Sequence, residues 1–189
     1  MRTPEPVVLQ GQHVRLEPLT HDHIPDLLVA AQDDDVWTWM PVERPRTEQD
    51  VRRLVDAQPG NPVWAVVVDG RAAGTTSYLD VDLAVSGLEI GWTWYQRELW
   101  ATSVNPECKL LLLGHAFDDL GAQRVTLKTD GRNSRSQAAI RKLGCAYDGT
   151  LRRNRLRPDG TVRDTAYFSL LATEWPAARD GLHRRLGRA

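Results

Sequence analysis

Between Leu88 and Thr129 the chain carries an apolar strand pattern, a loop, a long helical pattern, a glycine stop and a second strand pattern. That order constrains the fold more than any other stretch. Leu88–Tyr95 reads as the first strand. Leu110, Leu113, Phe117 and Leu120 then fit one helix that Gly121 ends, and Arg124–Thr129 reads as the second strand. A strand that returns through a helix to its own sheet implies parallel pairing. The junction at Trp100–Glu107 runs a strand into a helix N-terminus, where an α/β protein can hold a phosphate on exposed backbone N–H groups. Here the turn contains no glycine, and Asn105-Pro106 predicts a helix cap followed by the first helical residue.

The flanking segments predict hairpins around this crossover. Val14–Glu17 alternates as a short strand, and Ile24, Leu27, Leu28 and Ala31 mark an amphipathic helix ended by Asp33-Asp34-Asp35. Thr47 and Asp50 resemble a capping box, with Asp replacing the usual Glu or Gln. They open a helix that carries Val51, Leu54 and Val55 and that Pro59-Gly60-Asn61-Pro62 stops. Val63–Val68 is a strong strand, and Asp69-Gly70 turns it into a second one reaching about Leu79. Asn133 or Ser134 opens a helix through Ile140 and Leu143 that Gly144 closes. Two last strands flank Asp159-Gly160, and Glu174-Trp175-Pro176 begins a short basic tail. The expectation is an α/β fold with a mixed sheet, in a single domain over residues 1–189 whose core lies at 11–176 and whose tail is 177–189.

At 189 residues the chain is long enough to bury a sizeable core, and 41% hydrophobic with 26% charged residues is the balance of a soluble globular protein. A formal net charge of −1 gives no global pull toward nucleic acid or an anionic membrane. No apolar run approaches the length of a membrane span, and Met1–Gln10 lacks the shape of a signal peptide. Cys108 and Cys145 are the only cysteines and lack metal-ligand spacing, so they read as reduced thiols of a cytoplasmic protein. His13, His21, His23, His115 and His183 have no companions at ligand spacing, so no metal is expected. Arg179, Arg184, Arg185 and Arg188 read as a solvated face or an oligomer contact, not a nucleic-acid site.

An ordered set of short motifs carries a more specific signal. It comprises Glu89-Ile90-Gly91, His115-Ala116-Phe117, Leu120-Gly121, Arg124-Val125, Asn133, Ser136 and Lys142-Leu143-Gly144. It continues with Gly149-Thr150-Leu151-Arg152, Asp159-Gly160, Asp164 and Glu174-Trp175-Pro176. On these residues the chain resembles the GNAT acyltransferase superfamily, in the branch that includes ribosomal-protein N-terminal acetyltransferases. The resemblance covers about Gly11 to Pro176. It implies the acyl-CoA N-acyltransferase fold, a mixed central sheet with splayed parallel strands flanked by helices. It also implies acetyl-CoA as co-substrate, lying in the V between the Glu89–Tyr95 and Arg124–Thr129 strands.

The roles implied are specific. The first strand's backbone near Thr93 and Trp94 holds the pantetheine arm, with an N–H near Trp94 as oxyanion donor. Thr102, Ser103, Val104 and Asn105 meet the pyrophosphate, helped by the cation of Lys109. Asn133 contacts CoA, Ser136 donates to the leaving sulfur, and Glu89 is the general base. Trp37 and Trp39, read as lying in the loop between the first two helices, wall the acceptor site. Cys108 is a core residue, because the resemblance points to direct transfer and not to a covalent acetyl carrier.

The family pattern starts its loop with Gln or Arg and places glycines at the positions of Ser103 and often Ala101, whereas this chain begins at Trp100. Losing glycine's freedom should tighten or reshape the cradle, and Glu107 adds a negative charge nearby. The expected function is therefore an N-acetyltransferase that moves acetyl from acetyl-CoA to a primary amine, on a small molecule or a protein N-terminus, with no nucleic acid or membrane partner and with a homodimer left open. The alternatives are a non-catalytic CoA-binding or oligomeric scaffold with a degenerate loop, or an acyltransferase that uses another donor such as succinyl-CoA.

Overall fold

The computed structural model describes residues 1–57 and 61–188. Its sheet contains β1 (Leu9–Gln10), β2 (Arg15–Pro18), β3 (Val63–Val68), β4 (Arg71–Asp82), β5 (Gly87–Tyr95), β6 (Arg124–Asp130), β7 (Ala146–Leu156) and β8 (Val162–Leu171). Their spatial order is β1-β2-β3-β4-β5-β6-β8-β7. Every neighbouring pair is antiparallel except β5 and β6, which are parallel as the crossover requires. The helices are α1 (Ile24–Ala30), α2 (Asp34–Trp37), α3 (Glu48–Asp56), α4 (Val104–Gly114), α5 (Ser134–Arg141) and α6 (Trp175–Arg185). α4 continues as a π-helical turn over His115–Asp119, and Gly121 ends it at φ +76°.

Both faces of the sheet are covered. On one, Leu112 and Leu113 of α4, Ile140 of α5 and Leu182 of α6 share a buried cluster with Val66, Tyr78, Leu88, Ile90, Val125 and Leu127. On the other, Ile24, Leu27 and Val51 from α1 and α3 cover Ala65, Val67 and Ala72. A central strand buried on both faces loses its polar alternation, which is why Val63–Val67 is a continuous apolar run. Each fully buried Leu or Val in these clusters contributes ~1.5–3 kcal/mol.

Several boundaries differ from the sequence reading, each for a physical reason. Thr47 and Asp50 form the expected reciprocal box, with Asp50 N donating to Thr47 Oγ1 at 3.2 Å and Thr47 N to Asp50 Oδ2 at 3.0 Å. The expected stop at Pro59-Gly60 lies outside the described residues. β1 has no counterpart in the sequence pattern, and β4 runs to Asp82, past Leu79, because a bulge with Asp80 at φ +46° carries it on. The short basic tail expected after Pro176 is a helix. Trp175, Ala178 and Leu182 form its buried stripe, and Trp175 Nε1 donates to Asp118 Oδ1 at 2.9 Å. The arginines of α6 obscure that stripe in the sequence.

Candidate active site

β5 and β6 pair only at Gly87↔Arg124, Leu88↔Val125 and Glu89↔Thr126. Beyond Glu89, β5 runs on to Tyr95 beside β4 alone. The cause is a bulge. Pairing shifts between Thr75↔Trp94 and Ser77↔Gly91, so Trp92 and Thr93 together oppose Thr76, and Trp92 takes φ +48°. A bulge bends its strand and increases the twist. The side-chain faces record the change: Leu88 and Ile90 join the α4-side cluster, whereas Trp94 joins the α1–α3 cluster. Gly74 makes the bulge sterically feasible, since a Cβ there would sit 2.1 Å from the Trp94 carbonyl oxygen. The splay leaves the edge of β5 facing β6 without a strand partner over the segment that carries Thr93 and Trp94.

Glu89 stands at the point of divergence. Its carboxylate is buried, with Lys128 Nζ 2.5 Å from Oε2, and the same ammonium lies 3.2 Å from Asp80 Oδ2. A Cβ on Gly91 would fall 2.7 Å from Glu89 Oε1, so the Glu89-Ile90-Gly91 motif has a steric reason: glycine clears the space the carboxylate occupies. Burial raises the Glu89 pKa to about 7 against the pull of Lys128, and Asp80 adds to the rise. For Lys128, burial acts to lower the pKa, but the hydrogen bonds to and charges of Glu89 and Asp80 outweigh it and hold the group above its ordinary value. A carboxyl poised near neutrality beside a fixed cation can exchange a proton at physiological pH.

At the loop, α4 starts at Val104, because Ser103 already has helical angles (φ −68°, ψ −15°). This corrects the expected start. Asn105 is the second helical residue and Pro106 the third, where a missing N–H is still tolerated. The Asn105 side chain accepts from the Tyr95 hydroxyl at 3.2 Å and does not cap the helix. Thr102 donates its hydroxyl to Leu99 O at 2.7 Å and accepts from Val104 N at 3.3 Å. Among the described residues the Ser103 and Asn105 amides have no acceptor. Ala101 adopts φ +62°, the left-handed conformation that glycine supplies more readily. The negative charge of Glu107 is engaged elsewhere. Its buried carboxylate accepts from the backbone N–H of Gln12 (2.8 Å), His13 (2.6 Å) and Val14 (2.9 Å) and pairs with Arg188.

Lys109 turns inward. Its ammonium is buried, donates to Thr93 Oγ1 at 3.2 Å and makes no ion pair among the described residues, and burial pushes its pKa down to about 8. Instead, Arg97 and Arg135 bring positive charge to the loop, 4.4 Å and 3.4 Å from the Trp100 ring centre. Asn133 caps α5, accepting from Ser136 N at 3.0 Å, and the half-buried Ser136 hydroxyl has no partner among the described residues. Cys108 is fully buried and burial pushes its thiol up to about 12, which fits a core residue and not a nucleophile.

The sequence profile of the acetyltransferase (GNAT) domain matches residues 13–146. The chain belongs to the GNAT acetyltransferase family. The Bacillus subtilis protein YdaF, named for ribosomal N-acetyltransferase activity, is 28% identical over 110 residues, which is 58% of this chain and 59% of that relative. A solved acetyltransferase from T. thermophilus is 37% identical with a TM-score of 0.89, covering 97% of this chain and 98% of the other. Mycobacterium smegmatis RimJ, solved with CoA-disulfide, shares the fold at 19% identity and a TM-score of 0.84, covering 100% of this chain and 98% of its own. These relatives favour neither a non-catalytic scaffold nor a different acyl donor.

On the side of this GNAT sheet away from α4, the two tryptophans part company. Trp37 lies on α2, not in a loop, and is buried 4.9 Å from the Trp94 ring with Nε1 donating to Ala31 O at 2.9 Å. Trp37 lines one cavity with Val51, Thr75, Trp92 and Trp94. Trp39 is half-buried, with Arg132 5.4 Å from its ring centre. It lines another cavity with Met40, Asp130, Arg155, Arg157 and Arg163. Sequence reasoning missed Lys128, Asp80 and these arginines. The available signal was the concentration of arginines at Arg152, Arg153, Arg155 and Arg157, although a bulge at Arg153 (φ +49°) breaks the alternation of the strand there. Among the described residues no cluster of His, Cys, Asp and Glu is arranged to hold a metal, and no helix is long and apolar enough to cross a membrane.

Proposed function

We propose that this protein transfers an acetyl group from acetyl-CoA directly to a primary amine on a small molecule or a protein N-terminus. The observation that carries the reading is the splay of β5 from β6 with Glu89, poised near neutrality, at its apex. The names of its relatives and the RimJ complex with CoA-disulfide support the co-substrate. When bound, acetyl-CoA supplies an activated thioester.

The residues divide the remaining work. The open β5 backbone at Thr93 and Trp94 offers hydrogen bonds to an extended arm and an N–H for a developing oxyanion. The Ser103 and Asn105 amides, with Arg97 and Arg135, meet phosphate, while Thr102 and Val104 shape that turn. Lys109 adds a buried positive charge beside Thr93, and Asn133 fixes the first turn of α5 so that Ser136 can donate to the departing sulfur. Glu89 takes the proton from the acceptor ammonium, and Trp39 walls the acceptor cavity. Incubation with acetyl-CoA and a panel of amines, followed through free thiol, should show turnover above hydrolysis with at least one amine. Thiol release that no amine increases refutes the reading.

The reading includes a cytoplasmic location, supported by two buried unpaired thiols. It also includes a homodimer, supported by the exposed edge strand β7 with Leu151 and Leu156 in solvent. Sedimentation equilibrium tests the dimer.

A further inference from the structure

The acceptor cavity contains an electrostatic conflict that the fold does not resolve. Arg155 on β7 and Arg163 on β8 are direct cross-strand partners, an arrangement in which like charges repel. Among the described residues the one acid lining the cavity, Asp130, is taken by Arg157 at 2.8 Å and approached by Arg132 at 3.7 Å. Arg155 and Arg163 make no ion pair among the described residues, and the nearest polar partner of Arg163 is the Thr165 hydroxyl, 3.0 Å from Nε. Burial lowers the Arg163 pKa; the charge of Asp130 opposes this, and the charges of Arg155 and Arg157 add to the lowering.

This cluster lies on the same sheet face as the proposed base. Lys128, Asp130, Arg163 and Tyr167 alternate with Val125, Leu127, Ala166 and Phe168, which belong to the α4-side core, so they share the sheet face that carries Glu89. The charge of Arg155 acts on Asp80, which shares the Lys128 ammonium with Glu89. Two cations on facing strands, beside an aromatic wall and on the sheet face that carries Glu89, match an amine whose neighbouring groups are anionic.

We infer that the acceptor is an amine bearing nearby carboxylates, held by Arg155 and Arg163 while its amino group faces Glu89. The inference rests on the proposed acetyl transfer for the identity of the site. A peptide N-terminus followed by acidic residues and a small acidic amine share this chemistry. An RNA ligand would use the same charges without an amine, and the sheet face shared with Glu89 favours the peptide or amine.

Fluorescence anisotropy with labelled peptides of one length tests this without requiring catalysis. A peptide with Asp and Glu after its N-terminal residue should bind at least about tenfold tighter than its Asn and Gln counterpart, and less tightly as salt rises. The Arg155→Glu, Arg163→Glu double variant should invert the preference toward a Lys-rich peptide, and Arg155→Gln should weaken it while circular dichroism stays native. Free glutamate that competes as well as the acidic peptide identifies the small amine as the source. Equal binding of acidic and neutral peptides, an unchanged double variant, or an RNA oligonucleotide that binds more tightly than the acidic peptide overturns the inference. Acetylation of other amines but not of the bound acidic peptide overturns this inference and leaves the transferase reading standing, whereas thiol release that no amine increases refutes the transferase reading itself.

Discussion

Replacing Glu89 with Gln separates the chemistry from the fold, because the two respond with opposite sign. Glu89 is 3% exposed, and its pKa is raised from 4.5 to about 7 chiefly by burial. As a base with that pKa, its ionised fraction climbs from roughly 0.09 at pH 6 to roughly 0.9 at pH 8, so kcat/KM should rise about tenfold over that interval. Glu89→Gln should abolish the dependence and lower kcat by ~10²–10⁴. Stability runs the other way. Between pH 4.5 and 7 the folded protein holds a proton that the unfolded chain has released, so stability falls as pH rises through that window. Above pH 7 the raised pKa amounts to about 3 kcal/mol of destabilisation. Glutamine does not titrate and Lys128 keeps Asp80, so the stability of the variant relative to the parent should improve by ~3 kcal/mol from about pH 4.5 to about pH 8. For a chain of this size that is about 6–12 °C in the difference of Tm. Urea melts at several pH values, run beside pH–rate profiles, read both effects. A stability difference that stays flat with pH, or a variant that keeps the parent's pH–rate inflection, would show that Glu89 is a solvated structural carboxylate and refute the reasoning.

Three further outcomes follow from the same geometry. Lys109 has its pKa lowered from 10.5 to about 8 by burial, so its penalty is complete below pH 8 and gone above 10.5. Lys109→Met should therefore stabilise the protein at pH 7 by up to ~3 kcal/mol in denaturant melts while raising the KM for acetyl-CoA. Ala101→Gly removes a left-handed alanine and should stabilise by about 0.5–1 kcal/mol, with the acetyl-CoA KM unchanged within about twofold because the turn already has the shape glycine allows. The Glu107 pKa is lowered: burial opposes this, but hydrogen bonds from Gln12, His13 and Arg188 outweigh it. Its contribution is present above the unfolded value near 4.5 and is lost as pH falls through the lower folded one, so Glu107→Gln should cost ~1.5–3 kcal/mol at pH 7 and much less at pH 3, read by thermal melts.

What is legible in the sequence follows the range of each signal. Element order is readable because apolar period, caps and glycine stops act over a few residues: Thr47 with Asp50, Asn133 at α5 and Gly121 after the π-helical turn all act as their local chemistry dictates. Glu89 is readable through Gly91, since a motif that reserves space for a side chain leaves a trace two residues away. Lys128, Asp80 and Arg163 leave no such trace. Their roles exist only where β4, β6 and β8 converge, and a lysine in an alternating strand reads as solvated until a buried carboxylate lies opposite it. The Trp92–Thr93 bulge is likewise silent, because nothing in Gly91-Trp92-Thr93-Trp94 marks where one extra residue will be inserted.

That bulge helps to fix the geometry of a loop that has no glycine. By shifting the side-chain parity of β5 it sends Thr93 toward Lys109 and Tyr95 toward Asn105, at 3.2 Å in each case. Two contacts from the strand thus hold the first two turns of α4 in place. Glu107 secures the same turns from the other side, through the backbone of Gln12, His13 and Val14 and through Arg188. A helix start fixed from both sides does not need a flexible turn to present its amides. It needs only one residue that accepts a left-handed backbone, and Ala101 does so at a strain of about 1 kcal/mol. In this chain the clamp around α4 fixes the geometry that the loop presents. On this account Asn105→Ala combined with Thr93→Val should loosen the loop and make Ala101→Gly more stabilising than it is in the parent. A double-mutant cycle in denaturant measures that coupling, and strict additivity would sink the account.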